Sequence, residues 1–150
     1  MPSEPTIHVT DQALQEQIVA FIRAFGLHRP EQTPCGEPVS VAEAHALLEL
    51  SYGSLLSQNA LAHRLQLEKS TVSRLVGILE RKGWITRARS AHDGRAIELR
   101  LTDAGNGVAA QLAQARQAKF AQLLSALPES QRPMVIEALG MLVEALHESH

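Results

Sequence analysis

The chain has 150 residues, which is enough for one domain with a hydrophobic core and short for two independent domains. Hydrophobic residues make up 45% of the sequence and aromatic residues only 3%, so the core must rest on Leu, Ile, Val and Ala. The net charge of −2 argues weakly against a nucleic-acid partner. No apolar run approaches the ~18 residues of a bilayer-spanning helix, and the single cysteine, Cys35, excludes an intrachain disulfide framework.

The first predicted helix follows a polar start. Residues 1–9 have neither the basic start nor the apolar segment of a secretory signal peptide, so we expect a cytoplasmic protein. Thr10 or Asp11 can cap a helix in which apolar residues recur at helical spacing, and Gly26 stands where such a helix commonly ends. Residues 28–38 contain three prolines and a glycine, a composition that predicts a loop.

Three helical patterns come next. Ser40 with Glu43 three residues later forms a capping-box pattern at the start of the first. Ser57 begins a short second helix, and Ser70 is predicted to cap a third that ends at Gly83. The apolar residues of the third pattern recur at i, i+3, i+4 and i+7, so they are predicted to be buried: Val72, Leu75, Val76 and Leu79.

The hydrophobic period then changes from 3.6 to 2. Apolar residues alternate with small or polar ones, which predicts a strand with one buried and one exposed face. The apolar members are Ile97, Leu99 and Leu101. A shorter partner strand is predicted at residues 85–89, and the pair Asp93-Gly94 favours a turn between the two.

Two helices complete the pattern. Thr102 caps a long helix that runs to about Ala126, Pro128 interrupts, and a last helix begins near Ser130. The order of elements predicts a mainly α fold with a small β-hairpin wing (α+β), with a winged helix-turn-helix at residues 40–102.

Positive charge is concentrated in this winged segment. Residues 64–100 contain nine basic and four acidic residues and so carry +5, whereas the remainder contains five basic and twelve acidic residues and carries −7. A local field of this kind attracts phosphate even when the whole chain is acidic.

The third helix has the composition of a helix that reads the major groove of DNA. Such a helix needs small polar residues that let the backbone approach, and an arginine or amide that can reach a base edge. Its outward residues are Ser70, Thr71, Ser73 and Arg74. Arg74 is predicted to contact either a guanine base or only a phosphate, and the sequence leaves both interpretations open.

The hairpin supplies a second set of basic residues. Arg95 at the tip can enter a narrow minor groove, and Asp93 two residues earlier can hold its guanidinium in position. Arg87, Arg89 and Arg100 are predicted to face phosphates. A solvated charged hairpin is the alternative, and the neighbouring helices and the local charge favour contact with DNA.

This stretch resembles the MarR (multiple antibiotic resistance regulator) family of winged-helix transcriptional regulators. The resemblance rests on three motifs within about residues 57–105: the helix LEKSTVSRLVGILERKGWI, the wing residues Asp93-Gly94-Arg95, and the segment LTDAG that opens the next helix. It implies that Asp93 and Arg95 form a pair and that Arg95 reaches the minor groove. Many members continue with basic residues after this arginine, whereas here Ala96-Ile97-Glu98 follows.

The resemblance also implies a single domain that forms an obligate homodimer. Residues 10–27 and 103–147 would supply the dimerisation helices, and the sequence supports this because these segments are more apolar than a winged-helix core requires. Packing of these helices within one chain is the alternative. A dimer would bind a near-palindromic operator in double-stranded DNA.

Such regulators are often repressors that a small aromatic or phenolic effector releases from DNA, and no membrane partner is expected. The candidate effector-binding residues are Phe25, His28, His45 and Tyr52. The alternative functions are a basic winged-helix module that binds an acidic protein and an oxidant sensor that uses Cys35.

The sequence does not predict an enzyme. It contains no nucleotide-binding glycine loop and no evident pair of nucleophile and base, so we expect no catalytic residues. The seven histidines are scattered and a second cysteine is absent, so we expect neither a metal site nor another cofactor.

Overall fold

A computed structural model describes residues 8–53, 55–91 and 94–149. Within these ranges the chain forms helices and one antiparallel hairpin, which confirms the predicted mainly α fold with a wing. The elements are α1 (Asp11–Phe25), α2 (Val41–Ser51), α3 (Gln58–Leu65), α4 (Lys69–Arg81), β1 (Ile85–Arg89), β2 (Ile97–Leu101), α5 (Asp103–Ala126) and α6 (Arg132–Glu148). A single 3-10 turn, Glu129–Gln131, precedes α6. None of the described helices is long and apolar enough to cross a membrane.

The chain forms two compact units that divide within α5. The first ends at Leu112 and the second begins at Ala113. Apolar side chains of α2, α3, α4, both strands and the first turns of α5 form the core of the first unit. The fully buried large side chains of this core are Leu47, Leu61, Leu79, Leu99, Val72 and Val76. In the second unit, no residue of α6 is buried.

Capping side chains begin the first three helices, as the sequence predicts. The hydroxyl oxygens of Thr10, Ser40 and Ser57 each accept a hydrogen bond from a backbone N–H in the first turn, at 3.0–3.1 Å. Glu43 completes the predicted capping box at Ser40. Gly26 ends α1 with φ +91°, a conformation that favours glycine.

The two strands pair antiparallel, with Ile85 opposite Leu101 and Arg89 opposite Ile97. The backbone N–H of Leu99 also donates to the carbonyl of Leu56 at 2.7 Å, which joins β2 to the segment just before α3. The hairpin is therefore attached to the helices on its β2 side.

The predicted alternation on β2 is wrong at two positions. Ile97, at the end of β2 next to the turn, is 51% exposed because this part of the hairpin extends beyond the core. Leu99, two residues farther from the turn, is covered by the core and is 1% exposed. Glu98, predicted to be exposed, has a side chain that is only 14% exposed.

Close backbone packing fixes the base of the hairpin. The N–H of Thr102 donates to the carbonyl of Trp84 at 3.0 Å, and the Thr102 hydroxyl donates to the carbonyl of Gly83 at 2.6 Å. The same hydroxyl accepts from the N–H of Gly105 at 3.0 Å and so caps α5. A Cβ atom on Gly105 would lie 2.0 Å from the Trp84 carbonyl oxygen, so only glycine fits here without a shift of the backbone.

Candidate nucleic-acid interface

The packing of α4 leaves one polar side of the helix at the surface. Its apolar stripe, Val72, Leu75, Val76 and Leu79, is buried as predicted. Ser70, Ser73 and Arg74 are exposed, and Thr71 is half-buried. The four residues predicted to read the major groove therefore lie together on the first two turns of one firmly packed helix.

The prediction that Ser70 caps α4 is wrong. The helix begins at Lys69 with Glu68 as its N-cap residue, and no side chain caps it. The preceding helix ends at Gln66, whose positive φ of 55° turns the chain, and Glu68 then has the extended conformation from which a helix begins. Ser70 consequently lies within the first helical turn, where its side chain is exposed.

The turn between α3 and α4 borders an open surface depression of about 530 Å³. Residues of both helices and the turn line it: Asn59, Ala62, His63, Gln66, Leu67, Glu68 and Lys69. The lining residues carry amide, imidazole, carboxylate and ammonium groups as well as the apolar side chains of Ala62 and Leu67. None of the four candidate effector-binding residues belongs to it.

The register of the hairpin separates the basic side chains of the wing. Residues that are opposite each other in an antiparallel pair share a face, and side chains alternate between faces along each strand. Arg87 is opposite Leu99 and Arg89 is opposite Ile97, so both arginines are on the face that packs on the core. Arg100 is opposite Thr86 and is on the other face.

Arg87 contacts side chains of both helices of the helix-turn-helix. Its Nε donates to Glu80 Oε2 of α4 at 3.2 Å, and its Nη1 donates to Gln58 Oε1 of α3 at 3.2 Å. The Arg87 side chain is 38% exposed. One guanidinium therefore connects β1 to α3 and α4.

Among the described residues, Arg89 and Arg100 each contact another part of the hairpin. Arg89 Nη1 donates to the carbonyl of Gly94 at 3.4 Å, and Arg100 Nη2 lies 3.7 Å from Glu98 Oε2. Among the described residues, this Glu98 oxygen is a buried side-chain atom without a hydrogen-bond partner. Both arginines are exposed and lie on the strands where phosphates were predicted to approach.

Arg95 is exposed within the turn of the hairpin. Asp93, its predicted partner, lies outside the described residues. The pairing of Asp93 with Arg95 therefore stays a prediction.

The candidate effector-binding residues belong to α1, α2 and the segments that follow them. Phe25 is half-buried and stacks on Phe21 with 5.4 Å between ring centroids. His28 and His45 are exposed, and Tyr52 is 66% exposed at the end of α2. Their common role stays a prediction.

Cys35 is half-buried in the loop between α1 and α2. Within the described part of the chain, no three His, Cys, Asp or Glu side chains come together in a way that could hold a metal ion.

Sequence reasoning did not identify the side chains that join the elements of the candidate DNA-binding surface to one another. Glu80 and Gln58, which bind Arg87, are 7 and 29 residues away from it, and no local pattern links such positions. Lys82 similarly binds the buried carboxylate of Glu43, 39 residues away, and lies over the ring of Trp84 at 4.8 Å. Only tertiary packing brings these groups together.

Comparison with known proteins connects this arrangement to one group of regulators. A family model described as the MarR family matches residues 38–96. The HTH-type transcriptional repressor MdtR of Bacillus subtilis is 27% identical over 137 residues, which is 90% of this chain and 88% of MdtR.

Solved structures with the same fold include complexes with DNA. Streptococcus pneumoniae FabT in complex with DNA has a TM-score of 0.77 at 20% identity, over 94% of this chain and 100% of FabT. A mutant of S. aureus MepR bound to an oligodeoxyribonucleotide has a TM-score of 0.56 at 26% identity, over 93% of this chain and 99% of MepR. MepR bound to ethidium bromide has the same TM-score and identity, over 92% and 97%.

Proposed function

We propose that the chain is a MarR-family winged-helix transcriptional regulator, and that it is a homodimeric, sequence-specific repressor that binds DNA through α4 and the wing. The observation that carries the proposal is the exposed polar start of α4 beside a hairpin with exposed arginines, within a segment of charge +5. MdtR and the DNA complexes of FabT and MepR support the same interpretation. A repressor of this kind acts in the cytoplasm.

The proposed docking divides the contacts into two classes. Ser70, Ser73 and Arg74 enter the major groove, where a bidentate arginine contact to guanine contributes roughly 1–3 kcal/mol of discrimination. Arg95 reaches the minor groove, and Arg89 and Arg100 approach phosphates. The first class sets sequence preference, and the second contributes affinity that depends on salt.

The proposed dimer interface consists of apolar helices that the described chain leaves uncovered. In the first unit, Leu14, Ile18 and Phe21 of α1 are 49%, 39% and 46% exposed. In the second unit, Leu139 and Leu146 of α6 are 48% and 60% exposed. Apolar surface of this extent marks an interaction site, and a second copy of the chain would cover it. The dimerisation helices, residues 10–27 and 103–147, would hold two binding lobes, residues 40–102, about 34–36 Å apart on a near-palindrome.

Relief of repression would require an effector that binds the DNA-incompetent arrangement more tightly than the competent one. We propose a small aromatic or phenolic molecule near Phe25, His28, His45 and Tyr52, and the ethidium complex of MepR supports a ligand with aromatic rings. A panel of simple phenols and benzoates, titrated into the preformed protein–DNA complex, should contain a compound that releases DNA. A Tyr52→Ala variant that responds like the parent would remove Tyr52 from the proposed site.

DNA binding is tested by a mobility-shift titration against the protein's own upstream intergenic DNA and against random DNA of equal length, at several salt concentrations. We expect nanomolar binding that prefers the upstream DNA, with log affinity that falls linearly with log salt. Equal affinity for the two DNAs would overturn a sequence-specific repressor, and a monomeric mass in light scattering would overturn the dimer.

Two matched arginine variants locate the reading contact. Arg74→Ala should reduce the preference for upstream DNA while binding to random DNA changes little, because a base contact is lost. Arg29→Ala removes the same charge from an exposed position in the loop after α1 and should leave both affinities unchanged. An Arg74→Ala variant that loses affinity equally for both DNAs contacts phosphate and not a base.

A further inference from the structure

We infer that Arg87 is a positioning residue that sets the direction of the wing, and that it acts through Glu80 and Gln58 and not as a phosphate ligand. The inference rests on the proposed DNA binding and changes the role predicted for Arg87 from its sequence. Its basis is the double contact of the Arg87 guanidinium, through Nε to Glu80 and through Nη1 to Gln58, each at 3.2 Å.

The position of Arg87 along the hairpin allows this contact to orient the outer part of the wing. Arg87 is opposite Leu99, which is 1% exposed and whose N–H binds the carbonyl of Leu56. The next facing pair on the same side, Arg89 and Ile97, is exposed. Arg87 therefore belongs to a level at which the hairpin is attached to the helices.

Both strands are attached at this level, by different means. On β2, the backbone of Leu99 binds Leu56, just before α3. On β1, the Arg87 side chain binds Gln58 in the first turn of α3 and Glu80 in the second-last position of α4. An isolated two-stranded hairpin is marginally stable in water, so these attachments determine where its outer part points.

Charge also argues against a phosphate contact by Arg87. The carboxylate of Glu80 offsets the positive charge of Arg87, and a phosphate that approached this guanidinium would meet that carboxylate as well. Arg89, on the same face, instead contacts a backbone carbonyl and keeps its net charge at the surface.

Glu98 provides a matched control for Glu80. Like Glu80 of α4, Glu98 of β2 is a carboxylate within ion-pair distance of an arginine, although its side chain is less exposed, 14% against 44%. Its partner Arg100 lies two residues away on the same strand. Within the described part of the chain, the Glu98 pair therefore attaches the hairpin to no other element. Replacement of either glutamate by alanine removes one negative charge, but only Glu80→Ala releases Arg87.

The two roles predict opposite effects of Glu80→Ala on DNA binding. If Arg87 positions the wing, Glu80→Ala and Arg87→Ala each weaken binding to upstream DNA about tenfold, and the double variant is little weaker than either single one. Glu98→Ala instead keeps or increases the affinity, because it removes a charge that repels phosphate. Glu80→Gln, which keeps a neutral acceptor for Arg87, should recover part of the loss.

Salt dependence separates positioning from direct contact. A lost phosphate contact lowers the slope of log affinity against log salt by ~0.9, and Arg87→Ala should leave that slope nearly unchanged. If Arg87→Ala lowers the slope by that amount and Glu80→Ala tightens binding as Glu98→Ala does, Arg87 is a phosphate ligand. That result overturns the inference and leaves the proposed function intact.

A measurement without DNA keeps the inference testable if the protein fails to bind its upstream region. Amide hydrogen exchange reports local opening of the hairpin, and the N–H of Ser90, which binds the carbonyl of Ala96 at 2.8 Å, is a suitable probe. Arg87→Ala and Glu80→Ala should each accelerate exchange at Ser90 about tenfold, whereas Glu98→Ala should not. Parental exchange in both variants overturns the positioning role, whatever the DNA titration shows.

Discussion

Gly105→Ala should destabilise the fold at the base of the wing, although alanine favours helix. Gly105 lies in the first turn of α5, where a new Cβ would be 2.0 Å from the Trp84 carbonyl oxygen and 2.9 Å from its carbon. A normal contact between carbon and oxygen is about 3.3 Å, so the two backbones must separate by more than ~1 Å. The same carbonyl accepts the N–H of Thr102, so this shift would also strain a hydrogen bond.

The cost follows from those distances. Overpacking of a close contact costs about 1–3 kcal/mol, and the upper part of this range applies because the obstacle is backbone. Gly107, two residues later in the same helix, has no atom within 4 Å of an added Cβ. Gly107→Ala should therefore gain up to ~1 kcal/mol from helix propensity. The two variants should differ by roughly 3 kcal/mol, which corresponds to a melting-temperature difference of about 6–12 °C in a chain of this length.

The assay is thermal unfolding, followed by circular dichroism, of the parent and both variants at one protein concentration. Equal concentration is required because dimerisation would make the melting temperature depend on it. If Gly105→Ala melts at or above the temperature of Gly107→Ala, the contact between α5 and Trp84 is not a constraint on the fold and does not account for the glycine in LTDAG.

Three further outcomes are expected. Glu43→Ala should lower the free energy of unfolding by roughly 1–3 kcal/mol in urea titrations, because Lys82 and the start of α2 lose a buried acceptor; an unchanged midpoint would contradict this. Gln66→Gly should raise that free energy by about 0.5–1 kcal/mol, because glycine adopts the positive φ of 55° without steric cost, and a lower stability would indicate that the side chain contributes more than its backbone strain costs. Arg95→Ala should weaken binding to upstream DNA and reduce the salt slope by ~0.9, while helicity and molecular mass stay parental; parental affinity would exclude Arg95 from the wing contacts.

The local elements of the fold could be predicted because their causes are local. A capping serine, a glycine with positive φ and an apolar stripe at helical spacing each act within a few residues. Thr10, Ser40 and Ser57 therefore begin helices where the sequence places them, and the stripe from Val72 to Leu79 is buried. The prediction at Ser70 is wrong because the chain turns at Gln66 and α4 already begins at Lys69, with Glu68 as its N-cap residue.

The candidate site could be predicted only in part. The composition of α4 and the charge of residues 64–100 indicate which surface we propose to meet DNA. They do not indicate that Arg87 and Arg100 are on opposite faces of the hairpin, because the register decides this. They also do not indicate that Glu80 and Gln58 bind Arg87, because those residues meet only after the helices pack.

The sequence by itself determined the order and type of the elements, since the periods of 3.6 and 2 and the capping residues are properties of neighbouring positions. It also determined where positive charge accumulates. The tertiary structure decided where the core ends along the hairpin, and thus that Ile97 is exposed while Leu99 is buried. It also decided which charged groups pair across elements and why position 105 is glycine. These outcomes depend on distances between residues that are far apart in the chain, and those distances are set only when the elements pack.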